Sequence, residues 1–251
     1  MIALFPELLN LVKSEEFEKL SIAVRKYFAP EDAKSPKANI LAMLMRIGVQ
    51  VEKAQLKSFG TIAASDQGGN FRVVVAYKNS GNPIEDRFLL AHMMGHLFFD
   101  IQPLIATGDF GKGGFKEDLH PAERYSQSSV LSVASEPLLR SEELADEFAA
   151  ALLMPKAMFL HAYNKLNDLN KTAHFFAVKP EWVRKRFESL QQANSGSKEA
   201  TVQPKITIKP SRAGASAIVP ANTQLKNEIE PLTGMARLRK LASLLEKPAQ
   251  K

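Results

Sequence analysis

A helix-start signal at Asn82 is the strongest local constraint in this sequence. Asn82 suits the N-cap position, Pro83 suits the first turn, and Glu85 suits the third position of a capping box. The apolar run that follows continues through Phe99. The pattern therefore predicts a long apolar helix in the middle of the chain.

Four residues on two predicted helices have the spacing of a metal site. His92 and His96 are four residues apart, so both imidazoles lie on one helix face and can share a metal ion. Glu142 and Asp146 repeat this spacing on a later helix, where Glu142 can supply a third ligand and Asp146 can hold the far nitrogen of a ligating histidine. Alternatively, the two acids only stabilise the helix N-terminus. Two histidines and one glutamate, with a fourth position open to water, form a catalytic zinc arrangement.

The periodicity of the rest of the chain predicts an α+β fold. Helical spacing of apolar residues recurs before residue 47 and after residue 140, and three runs rich in β-branched residues lie between. We expect helices packed on a small, mostly antiparallel sheet, with an irregular segment at 101–140. The predicted helices cover residues 15–28, 35–46, 82–99, 141–154, 170–176 and 180–192, and the predicted strands cover residues 49–55, 60–64 and 71–77.

Composition excludes several kinds of site. The 251 residues are 45% hydrophobic, enough for a sizeable core, and include no cysteine. Disulfides, thiolate zinc sites and cysteine nucleophiles are therefore excluded. The first 13 residues lack the pattern of a signal peptide, and no apolar run approaches the roughly 20 residues that span a bilayer. We expect a soluble, cytoplasmic protein without a membrane span.

The positive charge of the chain lies in its last 59 residues. Residues 193–251 contain ten basic and four acidic residues, which accounts for the whole net charge of +6. Residues 1–192 are therefore neutral overall, and nucleic acid is not an expected partner of this body. The composition predicts a flexible linker at 193–225 and a basic tail at 226–251 that carries a short amphipathic helix. Docking of this tail on a protein partner is the simplest expectation, with an anionic surface or the body as alternatives.

Three motifs, in order, resemble the ImmA/IrrE family of metallo-endopeptidases. Residues 86–97 resemble its signature Arg-Phe-x-x-Ala-His-Glu-x-Gly-His. Residues 142–155 resemble its second motif, Glu-x-x-Ala-Asn/Asp-x-Phe-Ala followed by Leu-Leu-Met-Pro. Residues 173–187 resemble the helix-turn-helix-like segment that ends its domain. The resemblance covers residues 35–192, so that residues 1–192 are interpreted as a zincin-like metallopeptidase domain.

The resemblance implies a zinc site and a biological role. Zinc would be held by His92, His96 and Glu142, with Asp146 hydrogen-bonded behind a histidine. Glu143 is the alternative third ligand, but no aspartate lies one turn after it. Members of the family cleave helix-turn-helix repressors and thereby relieve transcriptional repression, which implies a repressor-like protein partner or substrate.

The chain departs from the family signature at Met93. In the family this position holds the glutamate that takes a proton from the zinc-bound water, and a thioether cannot act as that base. Losing a general base typically costs about 10²- to 10⁴-fold in rate. Glu117, Asp118 and Glu123 are substitute bases that nothing in the sequence places near the metal. No catalytic residue is therefore assigned.

Three hypotheses follow, and whether the protein is an enzyme stays open. The first is a catalytically impaired or inactive zinc-binding regulator that binds a protein partner. The second is an active endopeptidase that cleaves a helix-turn-helix repressor with a substitute base. The third is a DNA-binding regulator that uses residues 170–192, although packing is the favoured role of that segment. Its candidate contacts are Trp182, Arg184, Lys185 and Arg186, and the other histidines, His120, His161 and His174, are expected at the surface or in packing.

Overall fold

The computed structural model describes residues 6–108, 114–119 and 136–195. The chain divides into two units, Met1–Ala193 and Asn194–Lys251, and the account below concerns the first. The predicted linker and basic tail fall almost entirely outside the described residues. The fold class is α+β, as the periodicity predicts.

The described elements alternate between helices and a small sheet. The helices are α1 (Pro6–Lys13), α2 (Phe17–Phe28), α3 (Ile40–Ile47), α4 (Pro83–His96), α5 (Gln102–Thr107), α6 (Glu136–Leu153), α7 (Lys156–Leu166), α8 (Leu169–Phe176) and α9 (Pro180–Ser195). The strands are β1 (Gln50–Lys53), β2 (Gly60–Asp66), β3 (Phe71–Tyr77) and β4 (Phe115–Leu119). A short 3₁₀ helix at Pro30–Asp32 precedes α3, and a π-helical turn at Leu97–Ile101 joins α4 to α5.

The described strands form a mixed sheet in the order β1-β3-β2-β4. β2 is antiparallel to both β3 and β4, whereas β1 is parallel to β3. β4 lies in the segment that sequence reasoning left irregular. Its sequence, Phe-Lys-Glu-Asp-Leu, has three consecutive charged residues and so no strong strand signal. Pairing with β2 supplies its structure instead, and the hydroxyl of Thr61 donates to the carbonyl of Glu117 at 3.0 Å.

The long central helix starts where the sequence predicts. The side-chain oxygen of Asn82 accepts the backbone N–H of Ile84 at 3.1 Å, and its amide donates to Glu85 at 3.2 Å. Helical structure then continues through the π turn to Thr107. In the described part of the chain, Pro83–Thr107 is the helix long and apolar enough to cross a membrane, but its apolar window is 78% buried by the fold. That burial is the pattern of a core helix.

α4 and α6 pack against each other without a side chain between them at one point. A Cβ atom on Gly95 would lie 2.6 Å from the Cα of Ala145, closer than any real contact. Ala145 and Ala149 on α6 are fully buried. Small residues on both helices therefore allow the backbones to approach closely, and this approach brings the two metal-site motifs face to face.

Arg87, next to the first motif's phenylalanine, ties α4 to two other segments. Its guanidinium donates to the carbonyls of Pro36 and Ala38 before α3, and to those of Phe176 and Ala177 at the end of α8. Burial, and to a smaller extent the charge of nearby Arg25, lower the pKa of Arg87 to about 10. The motif arginine thus has a structural role in the described fold.

Candidate metal centre

The structure brings together the three ligands that the sequence predicts. The Nε2 atoms of His92 and His96 are 2.9 Å apart. Glu142 reaches from α6, with its carboxylate oxygens 3.2 Å from Nε2 of His92 and 3.6 Å from Nε2 of His96. Among the described residues, this is the group of histidine and acidic side chains whose donor atoms converge closely enough to hold a metal ion.

Each histidine is held from behind by an aspartate. His92 Nδ1 lies 2.7 Å from Asp146, which is one turn beyond Glu142 on α6, as the spacing predicts. His96 Nδ1 lies 2.7 Å from Asp100, in the π turn. Because an ionised carboxylate can only accept hydrogen bonds, both Nδ1 atoms donate, and the Nε2 atoms of the neutral imidazoles would present lone pairs to a metal. The hydroxyl of Ser141 donates to Asp100 at 2.8 Å and joins this arrangement to α6.

This donor set fits a tetrahedral zinc ion. Ligand atoms on a tetrahedral zinc ion, with bonds of about 2.0 Å, lie about 3.3 Å from each other. The two Nε2 atoms are 2.9 Å apart, Oε2 of Glu142 lies 3.2 Å from His92 Nε2, and Oε1 lies 3.6 Å from His96 Nε2, all within a few tenths of an ångström of this value. Two imidazole lone pairs and a carboxylate pointing at one another repel unless a cation lies between them. Nitrogen and oxygen donors without thiolate are compatible with zinc.

The contribution of Asp100 was missed in the sequence. Its signal was present, because Asp100 follows His96 by four residues and comes directly after the predicted helix at 82–99. Sequence reasoning assigned the partner of a ligating histidine to the second motif alone and gave no role to the first motif's own C-terminal extension. Nothing in the sequence predicts the π turn in which Asp100 lies.

Met93 is buried and packs against the sheet. Its side chain has no exposed surface, and its Cε would lie 2.9 Å from a Cβ atom placed on Gly60 of β2. Gly60 therefore forms a notch that accommodates the end of the thioether. The position between the two histidines holds a packed apolar group with no titratable atom.

The register of β4 places two of the candidate substitute bases, Glu117 and Asp118, on opposite faces of the sheet. Gly60 faces α4, so Ile62, two residues on, faces α4 as well. Glu117 pairs directly with Ile62 and so lies on the same face of the sheet. Asp118 projects to the opposite face, where it forms an ion pair with Lys116 at 2.7 Å. Glu123 lies outside the described residues.

Glu143 does not join the cluster. Its side chain is 68% exposed and lies 3.6 Å from Arg140, in an ion pair on the surface of α6. The adjacent Glu142 is only 12% exposed. A one-residue step along a helix rotates the side chain by about 100°, which explains why one of the two glutamates reaches the histidines.

The described histidines outside the motif do not contribute donors to the cluster. His161 on α7 and His174 on α8 are exposed, in agreement with a surface role. His120 lies outside the described residues.

Two of the four candidate DNA contacts on α9 are buried in the packing. The ring of Trp182 stacks on Phe88 of α4 with centroids 3.8 Å apart. Arg186 donates to the carbonyl of Met154 at 3.2 Å and pairs with Glu18. These contacts join α9 to the helices of the body.

One comparison with known proteins finds a similarity to a family over part of the chain. Residues 133–188 match the family model of the IrrE N-terminal-like domain. The matched segment contains the second and third motifs, from before Glu142 to the end of the helix-turn-helix-like close, and confirms the resemblance to the ImmA/IrrE family there. The histidine motif with Met93 lies outside the match. No curated protein matched the chain.

Proposed function

From the premise that this chain carries an IrrE N-terminal-like domain, we propose that it is a zinc-binding regulator that binds a protein partner and has little or no proteolytic activity. The observation that carries the proposal is the convergence of His92, His96 and Glu142, in a chain that has Met93 where the family motif has its base. The ligand set is complete, whereas the proton acceptor is missing.

The ligand geometry supports the metal-binding part of the proposal. His92, His96 and Glu142 would hold zinc, and the aspartates behind the histidines would fix their orientation. Zinc at such a site polarises a bound carbonyl and acidifies water. Peptide hydrolysis also needs a side chain that accepts a proton from this water. The thioether of Met93, packed on Gly60, cannot do so.

The partner and the location are parts of the same proposal. The family's substrates are helix-turn-helix repressors, so a repressor-like protein in the cytosol is the proposed partner. A domain that retains its ligands without a base would bind such a partner without cleaving it, and would act in transcription regulation by sequestration.

Metal analysis of the purified protein tests the proposal first. We expect about one zinc ion per chain. The double variant His92→Ala, His96→Ala should lose it, whereas the matched variant His161→Ala, His174→Ala should retain it, because those histidines are exposed on other helices. A parent protein that does not take up zinc even when it is supplied in excess would refute the proposal.

One observation favours active proteolysis as a second candidate function. Glu117 lies on the sheet face that packs against α4, the helix that bears His92 and His96. A carboxylate on that face is better placed as a substitute base than Asp118, which lies on the opposite face. If the zinc-loaded protein cleaves peptides, Glu117→Gln should abolish cleavage, whereas Asp118→Asn, on the opposite face, should retain it. Equal rates in these two variants would exclude Glu117 as the base.

A further inference from the structure

Asp100 and Ser141 form a hydrogen-bonded chain with His96 that neither the sequence motifs nor the family match assigns. We propose that Asp100 is a positioning residue of the metal centre, which with Ser141 fixes the His96 ring so that its Nε2 faces the metal. The inference rests on the proposed zinc-binding function and extends the three-ligand set to residues that do not touch the metal.

The contacts around Asp100 are short and largely shielded from water. One carboxylate oxygen, Oδ2, lies 2.7 Å from Nδ1 of His96 and accepts the hydroxyl of Ser141 at 2.8 Å. The side chain of Asp100 is 18% exposed, and that of His96 is fully buried. A charge-assisted hydrogen bond of this length is among the stronger ones in proteins. It therefore restrains both the tautomer and the rotation of the imidazole.

The π turn places Asp100 where it can serve both helices. It follows α4 directly and spans Leu97–Ile101. Such turns widen the helix locally and are frequent at functional sites. Ser141 immediately precedes Glu142 on α6, so its bond to Asp100 ties the backbone that carries the third ligand to the helix that carries the second.

The two histidines thus have equivalent support from different elements. Asp146 on α6 holds His92 on α4, and Asp100 in the π turn holds His96. With both Nδ1 atoms donating, both Nε2 lone pairs are directed at the same point before a metal arrives. A site that is preorganised in this way binds metal more tightly, because less order is lost on binding.

A purely structural role is the alternative, since His96 and Asp100 are also an i,i+4 pair on a continuous helix. Such a pair would stabilise the helix without affecting the orientation of the ring toward Glu142. Zinc affinity and the His96 tautomer distinguish the two roles, because helix stabilisation changes neither in a protein that stays folded.

Competition with a chromophoric chelator measures the effect on zinc binding. We expect Asp100→Ala to weaken zinc binding by about 10- to 100-fold, as removal of such partners does elsewhere. Asp100→Asn keeps the shape of the side chain and so guards against misfolding. Its zinc affinity should lie between those of Asp100→Ala and the parent. Ser141→Ala should weaken binding by less than about 10-fold, since the Asp100–His96 contact remains. The matched control is Asp86→Asn, on α4 but hydrogen-bonded to the backbone of Ser80, and it should bind zinc like the parent.

Proton–nitrogen correlation spectra of the imidazoles in metal-free protein give an independent readout. The parent should show His96 protonated at Nδ1, and Asp100→Ala should show a mixture of tautomers. A folded Asp100→Ala protein with unchanged zinc affinity and an unchanged His96 tautomer would overturn the inference. If the proposed zinc-binding function is wrong, the parent protein will bind no zinc. The His96 tautomer in the metal-free protein will then still show whether Asp100 positions His96.

Discussion

At the scale of single residues, Met93 is the position where this candidate metal centre departs from the catalytic motif that the chain resembles. The position is fully buried, and the side chain ends against Gly60. A methionine there stabilises the packing between α4 and β2, while it removes the only motif position that offers a base between the two histidines. This chain therefore retains the three candidate ligands but has no base at the position between the two histidines.

Met93→Glu should restore proteolysis if the rest of the site is intact. Supplying the base should raise kcat/KM by about 10²- to 10⁴-fold in the zinc-loaded protein. Cleavage of a peptide library, followed by mass spectrometry, measures the gain. The matched control is Met93→Gln, which has a similar shape and polarity but cannot take the proton. Equal rates for the two variants, with zinc retained in both, would show that more than the base is missing.

At the scale of elements, the metal centre depends on how closely α4 approaches α6. Gly95 is the point of closest approach, and the ligands that lie on either side of it must meet Glu142 across the gap. The motif glycine is therefore explained by helix packing. Ser141 and Asp146 bridge the same two segments by hydrogen bonds, on either side of Glu142.

Gly95→Ala should separate α4 from α6 and weaken the metal site. The added Cβ would lie 2.6 Å from the Cα of Ala145 and 2.9 Å from its carbonyl oxygen, so the backbone of α6 has to move. Overpacking of this kind typically destabilises by about 1–3 kcal/mol, and zinc affinity should fall with the displaced Glu142. Chemical denaturation and chelator competition measure the two effects. Parent-like zinc affinity in a folded variant would contradict the packing argument.

Arg87→Met should destabilise the fold without removing the metal ligands. The guanidinium satisfies carbonyl groups at Pro36, Ala38, Phe176 and Ala177, which the variant leaves without this donor. We expect a loss of about 2–4 kcal/mol in the free energy of unfolding, since unsatisfied buried polar groups cost about 1–3 kcal/mol each and some gain water.

Urea denaturation measures the loss in Arg87→Met, and Arg184→Met is its control. Arg184 is exposed on α9, so its replacement should change stability by less than about 0.5 kcal/mol. Similar losses in the two variants would mean that the carbonyl contacts of Arg87 contribute little.

At the scale of the whole molecule, sequence reasoning predicted the elements with strong local signals. The cap at Asn82 marked the start of α4, and β3 coincides with its predicted range. The pairs His92/His96 and Glu142/Asp146 were expected to converge because each pair lies one turn apart on a helix, and the structure places them in contact. Local rules suffice when a periodic pattern and a cap agree.

Sequence reasoning missed α5, α7 and β4, and some of the missed features depend on tertiary contacts. β4 has no strand signal and forms by pairing with β2. The parallel pairing of β1 with β3 follows from the path of the chain and is not encoded in either strand. Asp100 gains its role from the π turn and from Ser141, which is 41 residues away in the sequence.

Removal of the metal should lower the stability of the whole first unit. Zinc held by His92, His96 and Glu142 would tie α4 to α6, and these helices carry much of the buried core, so its binding energy would become folding energy for the unit. With free zinc at about 1,000 times its Kd, the stabilisation is about 4 kcal/mol. For a domain of this size, that corresponds to a fall in Tm of about 8–16 °C when a chelator removes the metal. Scanning calorimetry with and without chelator measures the shift. The double variant His92→Ala, His96→Ala should show no zinc-dependent shift, so a similar shift in both proteins would place the stabilising zinc elsewhere.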